Sequence, residues 1–138
     1  MPGAVYLLDT DTCSYVMKRR SPALIERVGR FAPGELKVSS VTVFELSFGG
    51  RRSDRFSAIE RVIRAFLANI EVLPFDAAAA EEAGAISAEL AARGQPIGAY
   101  DLLIAGHARL LGAVLVTHNT REFGRVRDLR LDDWLVLL

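Results

Sequence analysis

Three acids of this chain stand in surroundings that ordinarily exclude charge. Asp9 ends the apolar run Val5-Tyr6-Leu7-Leu8. Glu45 sits inside Val41-Thr42-Val43-Phe44-Glu45-Leu46, and Asp101 inside Ile97-Gly98-Ala99-Tyr100-Asp101-Leu102-Leu103-Ile104. Each has an ordinary explanation. An Asp at a strand–helix junction caps the helix; a Glu three residues after Thr42 completes a capping box; an Asp in a first helical turn complements the dipole by about 0.3–1 kcal/mol. Brought to one cleft, the three would do something else. Two carboxylates about 4 Å apart repel by about 4 kcal/mol at an effective dielectric of about 20, so a fold that gathers three of them needs a compensating cation. A hard divalent ion such as Mg²⁺ uses one or two carboxylates, waters and substrate phosphate oxygens. Such a cluster points to metal-assisted phosphoryl chemistry, with Asp9, Glu45 and Asp101 as candidate metal ligands and catalytic acids.

A fourth polar group follows the run Val114-Leu115-Val116. Thr117 and Asn119 can donate or accept at a metal-bound water or a phosphate, and Glu122 is either a fourth acid or a solvated helix residue. His118 reads as an exposed loop residue. Gly49, Ala105 and Ala108 leave room beside the acids, or simply allow close helix packing. All but two of the 17 basic residues are Arg, a type suited to bidentate phosphate binding. They cluster as Arg19-Arg20, as Arg51-Arg52-Arg55, and as Arg121, Arg125, Arg127 and Arg130.

Strands and helices must position these groups. Short apolar runs at Ala4–Leu8, Leu36–Val38, Glu71–Leu73 and Val114–Thr117, with a fifth candidate at Trp134–Leu138, predict strands covered on both faces. Helical patterns fall between them. They cover Thr12–Arg20; Ala23–Phe31 behind Ser21 and Pro22; and Thr42–Phe48, ended by Gly49-Gly50. Further patterns are an amphipathic stretch capped by Asp54, one from Asp76 to Gly94, and Ala99–Leu111 before Gly112. Alternating strands and helices predict a three-layer α/β/α fold around a mostly parallel sheet of four to five strands. Sites in such sheets form at the carboxyl ends of strands, near a switch point in strand order.

The whole chain sets further bounds. Its 138 residues fit one domain, 1–138. With 51% hydrophobic and 25% charged residues it is not a disordered chain. Seventeen basic and 17 acidic residues give zero net charge, so any nucleic-acid contact must come from a local patch. The single cysteine, Cys13, suits a reducing compartment, and no targeting or membrane-spanning segment is visible, so the expected location is the cytoplasm.

Four motifs in order then carry a resemblance. Leu7-Leu8-Asp9-Thr10-Asp11, Ser39-Ser40-Val41-Thr42-Val43-Phe44-Glu45-Leu46, Pro96-Ile97-Gly98-Ala99-Tyr100-Asp101-Leu102-Leu103-Ile104-Ala105 and Leu115-Val116-Thr117-His118-Asn119-Thr120-Arg121-Glu122-Phe123 resemble the PIN-domain ribonucleases. Within them they resemble the VapC toxins of type II toxin–antitoxin systems, over essentially the whole chain. The resemblance implies an endoribonuclease dependent on Mg²⁺ or Mn²⁺, with Asp9, Glu45, Asp101 and Asn119 catalytic and the three acids at the metal. Thr10, Ser40 and Thr117 would then contact substrate phosphate. It also implies a homodimer, a VapB-type antitoxin partner whose C-terminal segment blocks the cleft, and an RNA substrate. The Asn119–Phe123 run and the terminal Leu131–Leu135 stretch look like the branch that cuts initiator tRNA in its anticodon stem-loop. Asn119 stands where many PIN domains carry Asp, and Asp11 where VapC toxins often carry Asn; Asp11 reads as a helix cap. Two rivals use the same residues: an inactive PIN-like module that binds RNA or protein, and a haloacid-dehalogenase-like phosphatase with Asp9 as nucleophile. The second needs a downstream Lys, and the only lysines are Lys18 and Lys37.

Overall fold

Four of the five strands fall on the expected apolar runs. A computed structural model describes residues 3–135. The strands are β1 (Tyr6–Leu8), β2 (Leu36–Ser39), β3 (Glu71–Leu73), β4 (Val114–Val116) and β5 (Arg130–Asp132). They form one sheet in the order β3-β2-β1-β4-β5, with every neighbouring pair parallel. Side chains alternate across a strand. Leu7 and Leu115 therefore enter one buried cluster, while Leu8, Val38 and Val116 enter another on the opposite face.

Helices cover both faces: α1 (Thr10–Lys18), α2 (Pro22–Gly29), α3 (Ser40–Arg51), α4 (Phe56–Leu67), α5 (Ala77–Ala92), α6 (Ala99–Leu111) and the short α7 (Thr120–Phe123). The first cluster takes Ile86 and Leu90 from α5, Ile104, Ala105 and Ala108 from α6, and Phe123 from α7. The second takes Cys13 from α1, Leu24 from α2, and Ile63 and Phe66 from α4. Helix α3 reaches both, through Val41 and Leu46. The result is the expected three-layer α/β/α arrangement. Among the described residues no helix is long and apolar enough to cross a membrane.

Local sequence accounts for most helix ends. The side chains of Ser21 and Asp76 accept from the backbone N–H of Leu24 and Ala79, and Gly112 closes α6 with φ 63°. Three expectations need correction, and one open choice is decided. Gly49-Gly50 does not end α3. The helix continues to Arg51, and Gly50 is where α4 approaches: a Cβ there would meet Ile59 Cγ2 at 3.3 Å. Asp54 does not cap α4, whose N-cap Arg55 makes no side-chain capping bond; instead Ser53 Oγ accepts from Arg55 N–H at 3.1 Å. The last strand lies at Arg130–Asp132. Trp134 follows it and stacks on Phe31 at 5.4 Å, held by Nε1–H to Asp132 at 3.0 Å, and residues 136–138 of the expected strand lie outside the described residues. Finally, Ala105 and Ala108 are fully buried in the core, so their small size serves helix packing.

Candidate active site

The chain lays β1, β2 and β3 outward to one side, then returns to place β4 on the other side of β1. The carboxyl ends of β1 and β4 therefore flank the switch point where doubly wound sheets build sites. Asp9 and Thr117 are the first residues beyond those two ends.

Asp9 is 3% exposed. Its Oδ1 accepts from Thr12 N–H at 2.8 Å, so it is the N-cap of α1, and its Oδ2 accepts from Thr117 Oγ1 at 2.6 Å. The capping role expected of Asp11 thus belongs to Asp9, and Asp11 is an exposed first-turn acid of α1. Burial holds the Asp9 carboxyl above the usual carboxylate range; the bonds from Thr117 and Thr12 pull against that shift.

Glu45 does not form a capping box, because α3 begins at Ser40 and leaves Thr42 inside the helix. Thr10 Oγ1 donates to Glu45 Oε1 at 2.7 Å and lies 3.0 Å from Thr42 Oγ1. A hydroxyl carries one proton. With that of Thr10 on the carboxylate, Thr42 donates to Thr10. Burial raises the Glu45 carboxyl, and Asp11 and Asp9 add to the rise.

Asp101 lies in the first turn of α6. Burial pushes its carboxyl up to about 6, helped by the charges of Asp9, Glu45, Glu122 and Asp11. The three expected acids, with Asp11 and Glu122, thus share one electrostatic neighbourhood. Among the described residues no ion pair relieves Asp9, Glu45 or Asp101.

Asn119 Nδ2 donates to Glu122 Oε2 at 2.9 Å, so these two residues act as one unit at the start of α7. The Thr117 hydroxyl donates to Asp9 and accepts from Asn119 N–H at 2.9 Å. Ser40 Oγ accepts from Phe75 N–H at 2.9 Å, and His118 pairs with Asp133 at 2.9 Å. Sequence reasoning missed the buried contact of Ser39 Oγ with His107 Nδ1 at 2.8 Å, which ties the start of α3 to α6. Ser39 and His107 stand 68 positions apart, with no local pattern to join them.

The donor set fits a hard divalent cation: carboxylate oxygens, excess negative charge and no protein cation against them. Among the described residues no three acid, His or Cys side chains converge tightly enough to grip an ion alone. Such an arrangement suits an ion that keeps several waters and takes one or two carboxylates. The phosphatase alternative finds no lysine at Asp9: Lys37 is held by Glu71 at 2.5 Å and by the Gly34 carbonyl, and Lys18 lies at the far end of α1. Beside Thr10 and Glu45 opens an apolar groove of about 500 Å³, walled by Leu46 of α3 and by Ile59, Val62 and Ile63 of α4.

Residues 6–129 match the PIN domain family. The tRNA(fMet)-specific endonuclease VapC of Shigella flexneri is 44% identical over 129 residues, 94% of this chain and 97% of the relative. Ribonuclease VapC2 of Haemophilus influenzae is 41% identical over 130 residues, 94% of this chain and 98% of the relative. Among solved structures, DNA-bound VapBC from Salmonella typhimurium superposes with a TM-score of 0.90 at 39% identity, covering 95% of this chain and 98% of that one. With the parallel sheet, the acids at its switch point and these relatives in agreement, the chain belongs to the PIN domain family, in its VapC branch.

Proposed function

We propose that this chain is the toxin of a type II toxin–antitoxin pair, an endoribonuclease that hydrolyses RNA phosphodiester bonds with Mg²⁺, or Mn²⁺ in its place. The observation that carries the reading is the gathering of Asp9, Glu45 and Asp101 at the switch point, with Asp101 raised to about 6 by burial and by its neighbours' charge. Asp9 and Asp101 would hold the ion directly and Glu45 through its waters; when bound it supplies an activated water and charge stabilisation at the leaving oxygen. Thr117 and Thr12 fix the two oxygens of Asp9, and Thr10 fixes Glu45. Asn119, bonded to Glu122, orients groups on the β4 side. Thr10 and Ser40 line the approach of the scissile phosphate, whereas Thr117, expected to touch it too, is buried with its proton on Asp9 and positions that acid instead. A contact from Ser40 would use its hydroxyl proton, since its oxygen already accepts from Phe75.

The substrate we assign is initiator tRNA, on the strength of the relatives from Shigella and Salmonella that are named for it. The partner is a VapB-type antitoxin, as in the VapBC neighbours, and the apolar groove between α3 and α4 suits an apolar helix face from it. The active form is a homodimer working in the cytoplasm, each copy contributing residues 1–138 as one domain.

The test is cleavage of total cellular RNA by purified protein with Mg²⁺, Mn²⁺ or EDTA, beside Asp9→Asn, with the new 5′ ends sequenced. One discrete cut in a tRNA anticodon stem-loop, lost in EDTA and in the variant, is expected. No metal-dependent cut in any RNA would leave an inactive binding module as the better reading.

A further inference from the structure

A second groove, of about 440 Å³, adjoins the apolar one along α1, and Ser14 and Lys18 line both. It runs from Asp11 and Asn119, beside the acids, to Lys18 and Arg20, with Tyr15 and His118 on its walls. RNA arriving at an acidic cluster on a chain of zero net charge needs cations nearby, and the structure sorts the basic residues. Arg51 and Arg52 lie over the rings of Phe56 and Phe48, at 4.9 and 5.4 Å. Arg125 and Arg130 donate to the carbonyls of Pro96 and Gly112. Arg121 and Arg127 stand outside this groove's lining, and Arg55 lines the apolar groove beside Glu45 instead. Lys18, Arg19 and Arg20 are exposed, and among the described residues none of the three makes an ion pair or a side-chain hydrogen bond.

The backbone supplies an independent observation. Arg19 ends α1 at φ 52°, ψ 38°, a left-handed conformation in which Gly is favoured and an L side chain is strained. Arg19 N–H donates to the Val16 carbonyl at 3.1 Å and Arg20 N–H to the Tyr15 carbonyl at 3.3 Å. These bonds turn Arg20 back across the last helical turn, onto the groove that Lys18 also lines. Basic residues at a helix C-terminus ordinarily complement the dipole, and a left-handed residue ordinarily ends a helix; neither accounts for a groove leading from these cations to the acids. Seven residues of helix separate Asp11 from Lys18, about 10 Å at 1.5 Å each, a span that a short stretch of nucleic-acid backbone covers.

We propose that this groove seats the RNA backbone on one side of the cut, with Lys18 and Arg20 holding phosphates that flank the bond broken at the acids. The inference rests on the nuclease reading above. Its test is binding of fluorescently labelled total tRNA in EDTA, as a function of salt, by the full-length Asp101→Asn protein. Adding Lys18→Ala and Arg20→Ala should weaken binding by about 10- to 100-fold at low salt. It should also reduce the slope of log K against log salt by about 1.4–1.8, at 0.7–0.9 per phosphate contact, with an unchanged melting temperature. Replacing Lys18 by Arg instead should preserve the slope. An unchanged slope and affinity, in a protein whose wild type cuts RNA, overturns the groove assignment alone. A wild type that cuts no RNA overturns the nuclease reading instead. Unchanged tRNA binding with loss of antitoxin binding would give the groove to the antitoxin and overturn the proposal.

Discussion

Asp101 ties stability to pH in a direction opposite to most carboxylates. Its folded value of about 6 lies above the 3.8 of an unperturbed Asp, so the fold favours the protonated form. That contribution is fully present below about pH 3.8 and is lost as pH rises through about 6. Thermal melts in EDTA should show Asp101→Asn gaining on the wild type across that window, and excess Mg²⁺ should narrow the difference above pH 6 by stabilising the wild type alone. A pH-independent difference would remove Asp101 from the cluster. Thr117→Val leaves Asp9 buried without the donor to its Oδ2, and should lower cleavage about 10- to 100-fold, as loss of groups that orient metal-binding carboxylates does; wild-type turnover in that variant would take Thr117 out of the site. The acids were legible in the sequence because charge among Leu, Val and Ile is conspicuous. The capping box at Glu45 was misread because the helix begins earlier, at Ser40, which sends the carboxylate across to Thr10 on another helix.

At the scale of elements, glycines separate what local chemistry dictates from what packing decides. Gly49-Gly50 looks like a helix stop, since a helical Gly costs about 1 kcal/mol relative to Ala. The structure keeps α3 intact and uses Gly50 for the approach of α4. Gly106 in α6 is tighter still: a Cβ there would lie 2.6 Å from the backbone of Ala83 in α5. Because backbone cannot yield as a side chain end can, Gly106→Ala should cost about 1–3 kcal/mol in chemical denaturation. Gly49 has open space around it, and Gly49→Ala should leave stability unchanged or raise it by about 0.4–1 kcal/mol. Equal effects at the two positions would refute this assignment of close packing to α5 and α6. Strand positions and the ends marked by Ser21, Asp76 and Gly112 were readable because strong local signals agreed with tertiary demand. The strand at Arg130–Asp132 was not, because its short, polar-edged sequence gains its order from pairing with β4, while the apolar Trp134 beyond it packs on Phe31.

Over the whole molecule, one surface stands apart from the sheet and its cores. Phe44, Phe48 and Tyr100 are 50%, 54% and 47% exposed, and Phe44 contacts both of the others, at 6.3 and 5.3 Å between ring centres. Clustered exposed aromatics mark interfaces, and two of these, Phe44 and Tyr100, lie next in sequence to Glu45 and Asp101. The proposed homodimer should therefore use them. Phe44→Asp combined with Phe48→Asp should shift sedimentation from dimer to monomer while the far-ultraviolet spectrum stays unchanged; a dimer that persists would move the interface elsewhere.

The hydrogen bond from Thr117 to Asp9 joins residues 108 positions apart, across the two strands at the centre of the sheet. A ribosome making this protein releases Asp9 and Glu45 early, yet β4 is absent until residue 114 has left the tunnel. Parallel pairing over such a separation forms late. A nascent chain stalled before β4 should therefore leave RNA intact: its acids are already made, but the strand that leads to the Thr117 donor is not.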